Sequence, residues 1–429
     1  MGYSLRHTTN GADVAAHVYD LIGVGFGPSN LALATVVHER NQIAGTRIDA
    51  VFLEAKAQFG WHPGMLLPGS SMQISFAKDL ATLRNPRSEF TFLNYLHEHG
   101  RIVDFVNLQT FFPSRQEFAD YLRWAADRVE AEVRYGTRVV QVDCVGELVE
   151  VTCHGPGGVT TVYGKNVVVA PGLVPKLPES VTPSARVFHN HRLLEHLGQV
   201  PSRPHGRFAV VGAGQSAGEV IRFLHSQYPE AEVHSIISRF GFSPSDDSPY
   251  ANRVFDPDTV DRWYGAAEPV RERMMSYHRG TNYSAVDGEL IAELFRREYE
   301  EKVAGQRRQF VHNATRIDSV TEQDDGVRLE LFDTMDQRRG ALTVDAVVYA
   351  TGFRSFDVTE LVDVGAAVGK PPVERDYRLR LPAGQTCGVY LNGGVEETHG
   401  LSSSLLSVVA VRAAEILDSI IVGVHAPVS

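Results

Sequence analysis

Two glycine-rich turns constrain this chain more than any other feature. The first, Gly23-Val24-Gly25-Phe26-Gly27-Pro28, follows the apolar run Val18 to Ile22. The second, Gly212-Ala213-Gly214-Gln215-Ser216-Ala217, follows Phe208 to Val211. Each stands where a buried strand hands over to a helix, and glycine there lets the backbone approach a pyrophosphate held at the helix N-terminus. One such turn is weak evidence. Two in one chain point to two dinucleotides, and so to a flavin reduced by a nicotinamide.

The remaining composition narrows the function classes. A chain of 429 residues is long enough for two or three domains. With 41 basic and 52 acidic residues the formal charge is −11, which gives nucleic-acid binding no electrostatic support. Cys144, Cys153 and Cys387 have neither CxxC nor metal spacing, which suits a reducing cytoplasm and excludes a CxxxxC redox disulfide. The 17 histidines form no HxxxH or HExxH pattern, so no metal site is expected. The segment Met1 to His17 lacks a signal-peptide core, and Arg6 breaks a myristoylation pattern. Leu405 to Val424 is interrupted by Arg412, Glu415 and Asp418, so it reads as a buried amphipathic helix and not a membrane span. A soluble, cytoplasmic protein is expected.

Along the chain, residues 1–17 are expected to be a flexible tail, and residues 18–54 a βαβ unit. Its helix runs from about Ser29 to Glu39, and its second strand, Ile48 to Leu53, ends at Glu54. An acidic residue there commonly receives the adenosine ribose hydroxyls. Residues 60–125 are irregular and then helical; residues 132–170 alternate in short runs that suggest an antiparallel meander ending at Val167–Ala170. Pro201 to Gly206 looks like a linker. The second α/β unit continues with the strand Val233 to Ile237, a mostly helical stretch at about 243–305, and strands at 326–332 and 343–349. The chain closes with the strand Val389 to Asn392 and a helix from about Ser402. The fold class is therefore α/β with two Rossmann-like domains, FAD- and NADPH-binding, plus a small mostly helical substrate-binding region. By analogy with other two-dinucleotide flavoproteins, residues 201–354 form the NADPH domain, inserted between 18–200 and 355–429 of the FAD domain.

The turns also sort the nucleotides. Pro28 replaces the third glycine of the first turn and is tolerated in a helix's first turn, where its missing N–H has no partner anyway. The second turn ends in Ala217, and Ser238-Arg239 follows the next strand where NAD enzymes tend to carry Asp or Glu. A guanidinium there pairs with a 2′-phosphate through its planar fork, which favours NADPH over NADH.

At this level the sequence resembles the flavin-dependent N-hydroxylating monooxygenases that act on ornithine or lysine in siderophore assembly. The segments that carry the resemblance are Phe59 to Met65, Met72 to Arg84, Pro244 to Pro249, Thr281 to Ser284, Asp345 to Phe353 and Thr398 to Ser402, with Pro28 a further family trait. The match extends from about residue 18 to 420. It implies that Gly23, Gly25, Gly27, Pro28, Glu54, Trp61, His62 and Gln73 contact FAD, with Gln73 beside the oxygen-reacting carbon of the ring. It implies that Gly212, Gly214, Gln215, Ser216, Arg239 and Tyr283 meet the nicotinamide nucleotide. Lys78 and Asn252 would hold the amino-acid carboxylate, and Asn282 would sit near the side-chain amine. Ser404 and Leu405 belong to a loop closing over flavin and substrate. Two departures stand out: Ala77 replaces the family's usual Leu, and the loop Phe240 to Ser243 is one residue shorter and lacks a second basic residue. Family members commonly form homotetramers or dimers.

The chemistry implied is NADPH- and O2-dependent N-hydroxylation through a C4a-hydroperoxyflavin, giving N5-hydroxyornithine. The cofactor supplies the oxygen chemistry while the protein positions and excludes water, which accounts for the lack of a triad or metal cluster in the sequence. The attacking amine must be neutral, and its free pKa is near that of lysine, about 10.4. A neutral amide such as Asn282 would not stabilise the ammonium as a carboxylate would, while Lys78 is suited to gripping a carboxylate as a point charge. L-Ornithine is the expected substrate, with L-lysine and then a diamine as alternatives, because one methylene is worth only about 1–3 kcal/mol in a pocket. A Baeyer–Villiger enzyme would carry an FxGxxxHxxx(W/Y) fingerprint, which Phe188-His189-Asn190-His191 fails. A non-catalytic flavin sensor is the distant alternative.

Overall fold

Two parallel five-stranded sheets, each built around one glycine turn, organise the molecule. The computed structural model describes residues 16–43, 45, 47–200, 205–281, 283–363 and 372–425. The expected tail through residue 15, residues 201–204 of the expected linker, and Asn282 lie outside the described residues. In the first sheet the strands run in the order Gly388–Leu391, Asn166–Val169, Leu21–Val24, Ala50–Leu53 and Glu132–Arg134, all parallel. In the second the order is Val187–His189, Ala346–Tyr349, Arg207–Val211, Glu232–Ile236 and Gln309–His312. The last strand of the first sheet thus comes from beyond the second sheet in the chain, and Val187–His189, which lies before the expected boundary at residue 201, already belongs to the second sheet.

Both sheets receive a strand through the same kind of crossover. A three-stranded antiparallel meander, Arg138–Val145, Leu148–Gly155 and Gly158–Gly164, precedes Asn166–Val169. A second meander, Thr315–Gln323, Gly326–Asp333 and Arg338–Val344, precedes Ala346–Tyr349. The two-residue period of the strands decides the layering. In the second sheet Phe208, Val210 and Val348 face Val220, Ile221 and Leu224 of the helix Gln215–Gln227. Ala209, Val347 and Tyr349 face the other way, onto Val327, Leu329 and Val344 of the meander. Burial on both faces is why these strands read as continuous apolar runs.

In the first unit the helix Pro28–Gln42 packs beside the C-terminal helix Val409–His425. Ala413, Ile416, Leu417 and Ile420 of the latter are buried in the core, and among the described residues no helix is long and apolar enough to cross a membrane. Two boundaries differ from the sequence reading. The run Val18 to Ile22 is split at Asp20: Val18–Tyr19 pairs with the meander, and Leu21–Val24 enters the parallel sheet. The C-terminal α-helix starts at Val409 rather than near Ser402, because short 3-10 turns at Leu401–Ser404 and Leu406–Val408 come first. The stretch 243–305 is helical as expected, with Ala251–Phe255, Thr259–Tyr264, Glu268–His278 and Gly288–Ala304.

Candidate functional site

The first turn is shaped by a close approach. Gly25 has φ +81°, and a Cβ on it would stand 2.5 Å from the Ala170 carbonyl oxygen, so only glycine fits. The Asn30 amide ties the turn from beneath, donating to the Gly25 and Val24 carbonyls at 2.8 and 3.2 Å. Gly27, by contrast, faces open space. The helix that begins at Pro28 has no side-chain cap and no acidic residue in its first turn, so its free N–H groups and dipole are left for an anion. At the end of the neighbouring strand, Glu54 is buried; its two carboxylate oxygens accept from the Phe26 and Lys56 backbone N–H groups at 2.7 and 2.8 Å. Those bonds fix its direction and leave further lone pairs for a ribose hydroxyl. A cavity of about 300 Å³ opens in front of the turn, lined by Gly27, Pro28, Ser29, Asn392, Gly394 and Ser404 among others. An uncapped helix end, an acid at the adjacent strand end and an open cavity together fit FAD.

The second turn repeats the device. Gly212 has φ +137° and lies against the Ala350 carbonyl even more closely. The helix Gln215–Gln227 again has neither side-chain cap nor first-turn acid. Arg239 is exposed and donates to the Ser284 carbonyl at 3.1 Å, and a Cβ on Gly214 would meet the Ser284 backbone at 3.5 Å. The structure therefore brings Arg239 to the mouth of this turn. Ser216 lies half-buried in the helix's first turn. The Gln215 amide is engaged within the protein: it accepts from the Asp287 N–H at 2.8 Å and donates to Glu219 at 3.0 Å.

Between the two nucleotide units the helical stretch leans on the segment that follows Gly388–Leu391. Lys78 Nζ stands 5.8 Å from the centroid of Phe255, which shares the turn Ala251–Phe255 with Asn252. Among the described residues no carboxylate lies within ion-pair range of Lys78; burial pushes its ammonium below the ordinary value while the nearby Asp256 opposes the fall. The Asn252 side chain donates to the Ser248 carbonyl at 3.2 Å. Phe255, Val254, Trp263 and Leu401 form a small core with Tyr283 and Leu405 packed against it. The Tyr283 hydroxyl hydrogen-bonds the Glu396 carboxylate, and Ser404 Oγ accepts from the Gly394 N–H at 3.1 Å. Gln73 is exposed, next to buried Met72. Trp61 packs edge-on against His62 and Phe118, and His62 lies 6.3 Å, ring to ring, from Phe353.

Residues that the sequence reading did not single out hold these parts together. Arg115 and Glu219 form a two-pronged ion pair, 2.8 Å on each arm, between the helices Arg115–Arg128 and Gln215–Gln227. Glu396 is likewise absent from the motif segments, and Arg412 stands out in the sequence only as a charge interrupting the run Leu405 to Val424. The one signal for Arg412 and Glu219 is a charge among apolar residues of a helix that has to be buried.

Two Rossmann-type units joined in this order, one fitted to FAD and one to NADPH, define a flavoprotein of the two-dinucleotide class. Residues 17–355 match the sequence profile of the L-lysine 6-monooxygenase/L-ornithine 5-monooxygenase family. The chain is 38% identical over 421 residues to the L-ornithine N(5)-monooxygenase of Pseudomonas aeruginosa, covering 95% of each. Among solved structures it is similar to the ornithine N-hydroxylase of Kutzneria sp. 744, with 41% identity, a TM-score of 0.90, and 94% of this chain and 99% of that one covered. It is also similar to the L-lysine 6-monooxygenase of Pseudomonas syringae, with 33% identity, a TM-score of 0.82, and 95% and 100% covered. The chain belongs to the L-lysine 6-monooxygenase/L-ornithine 5-monooxygenase family.

Proposed function

We propose that this protein hydroxylates the side-chain amine of L-ornithine with NADPH and O2, yielding N5-hydroxyornithine for a hydroxamate siderophore or related peptide. When bound, FAD supplies the oxygen activation and NADPH the electrons. The observation that carries the substrate class is Lys78: a half-buried cation with no ion pair among the described residues, set against the Phe255 turn that bears Asn252. Such a group asks for a carboxylate, which an α-amino acid has and a diamine lacks. Ornithine is preferred over lysine because the Kutzneria ornithine N-hydroxylase is 41% identical and the Pseudomonas syringae lysine enzyme 33%.

This reading sets Gln73 beside the flavin ring, Asn282 near the amine, Arg239 at the 2′-phosphate, and Ser404 and Leu405 over the flavin and substrate. A homotetramer or dimer is supported by Phe295, Tyr299 and Val303, which stand exposed one turn apart on the helix Gly288–Ala304. Three cysteines outside any disulfide support a cytoplasmic location. The test is Lys78→Met assayed with L-ornithine and with putrescine. The KM for ornithine is expected to rise roughly 10- to 100-fold, the worth of a charged hydrogen bond, with no change for the diamine. An unchanged ornithine KM would remove Lys78 from the carboxylate site.

A further inference from the structure

Arg412 is the largest fully buried side chain, 1% exposed, on the helix Val409–His425. Its Nε donates to Asn392 Oδ1 at 2.8 Å, one terminal nitrogen donates to the Ser403 carbonyl, and the other to Ser29 Oγ at 3.3 Å. Asn392 passes the contact on, its amide donating to the Ser29 carbonyl at 2.9 Å and to Asn30 Oδ1 at 3.2 Å. Asn30 in turn holds the Gly25 carbonyl at 2.8 Å. The guanidinium therefore stands directly behind the first glycine turn and also holds the loop that carries Ser404.

No carboxylate among the described residues pairs with it directly; Glu415 attracts it only from a distance. Glu415, on the same helix, is committed to Arg375 at 3.0 Å on both arms. Burial pushes the guanidinium below its ordinary value, but arginine does not deprotonate within a protein. An uncompensated buried charge is strongly destabilising. A second positive feature, the uncapped N-terminus of Pro28–Gln42 with no acid in its first turn, lies just ahead of it. Ser29, Asn392 and Ser404, the groups around Arg412, also line the cavity in front of that turn.

We propose that Arg412 is a positioning residue whose counter-charge is the diphosphate of FAD, acting through Ser29 and Asn392 without touching the cofactor. The inference rests on FAD occupying the first turn. It makes the cation a cost in the free protein that is offset only when the dinucleotide binds, and it couples that binding to the order of the Ser403–Ser404 loop.

The experiment compares Arg412→Met and Arg412→Lys with the unaltered protein, each stripped of flavin. Dissociation constants for FAD and for riboflavin, which has no phosphate, are read by flavin fluorescence, and the flavin-free unfolding midpoint is read in urea. Arg412→Met is expected to weaken FAD roughly tenfold or more, to leave riboflavin within about twofold, and to unfold at an unchanged or higher urea concentration. Arg412→Lys keeps the charge and is expected to recover part of the FAD-to-riboflavin preference, and it carries the test if the methionine variant does not fold. Equal weakening of both flavins together with a lower urea midpoint would make Arg412 a purely structural residue and overturn the proposal. Failure of the unaltered protein to prefer FAD over riboflavin would instead overturn the reading of the first turn itself.

Discussion

Arg115 grips Glu219 with two parallel bonds of 2.8 Å, and Glu219 is only 1% exposed. The pair joins a helix that packs in the FAD unit to the first helix of the NADPH unit, so it sets how the two nucleotide turns face each other. Removing one partner strands the other charge in a buried site, which costs about 3–5 kcal/mol. Arg115→Met is therefore expected to lower the urea midpoint markedly, and the double variant Arg115→Met/Glu219→Met is expected to regain part of the loss. A single variant that unfolds with the unaltered protein would contradict this account.

Gly25 and Gly27 separate folding from binding. A methyl group at Gly25 collides with the Ala170 carbonyl in a left-handed backbone, whereas one at Gly27 meets nothing in the protein. Gly25→Ala is expected to lose both stability and flavin content. Gly27→Ala is expected to melt normally without flavin but to bind FAD more weakly, because its methyl group enters the ligand's space. Flavin absorbance per protein, set beside the flavin-free melting temperature, distinguishes the two, and matched losses in both variants would contradict the fit.

Arg239 lies at the mouth of the second turn, its guanidinium donating to the Ser284 carbonyl. If it meets the 2′-phosphate, Arg239→Ala is expected to raise the KM for NADPH roughly 10- to 100-fold, the loss of one charged hydrogen bond. The KM for NADH would hardly move. A parallel rise for both nucleotides would show that the residue supports the loop and not the phosphate.

Stability is expected to fall on mild acidification. Burial pushes the imidazoles of His399 and His189 down to about 4 from an ordinary value of 6.5. Below about pH 6.5 the unfolded chain takes up protons that the native state refuses until about pH 4, so stability is full above that window and drains away within it. The urea midpoint should be flat between pH 7 and 8 and decline from about 6.5 downward. Each such histidine adds a slope of up to about 1.4 kcal/mol per pH unit. His399→Asn should flatten the decline, and a midpoint that stays constant to pH 5 would show that these imidazoles protonate in place.

The parts of the fold legible in the sequence are those written locally. A strand, a glycine turn and a helix occupy neighbouring residues, so both nucleotide units were visible, as was the helical character of 243–305. Which sheet an apolar run joins is not local: nothing in Val18 to Ile22 says that Asp20 divides it between two sheets. The strand Thr315–Gln323 is mostly polar and exposed, so it shows no apolar alternation, and the kinship of the two meanders was missed with it. The delayed start of the C-terminal helix follows from long-range bonds, Arg412 on the Ser403 carbonyl and Ser404 on Gly394. Cys144 and Cys387 carry no paired spacing, yet their thiols are close enough to influence each other's ionisation. In the site, Lys78 lies beside Phe255 of the turn that also carries Asn252, whereas Glu396, Arg115 and Arg412 act through partners far away in sequence.

The most direct measurement is to incubate the FAD-loaded protein with NADPH and O2 and quantify the hydroxylated amine from L-ornithine, L-lysine and putrescine by mass spectrometry. Product from L-ornithine in clear excess over the other two is the predicted result. NADPH consumption that yields only hydrogen peroxide with all three, or product chiefly from putrescine, would contradict it.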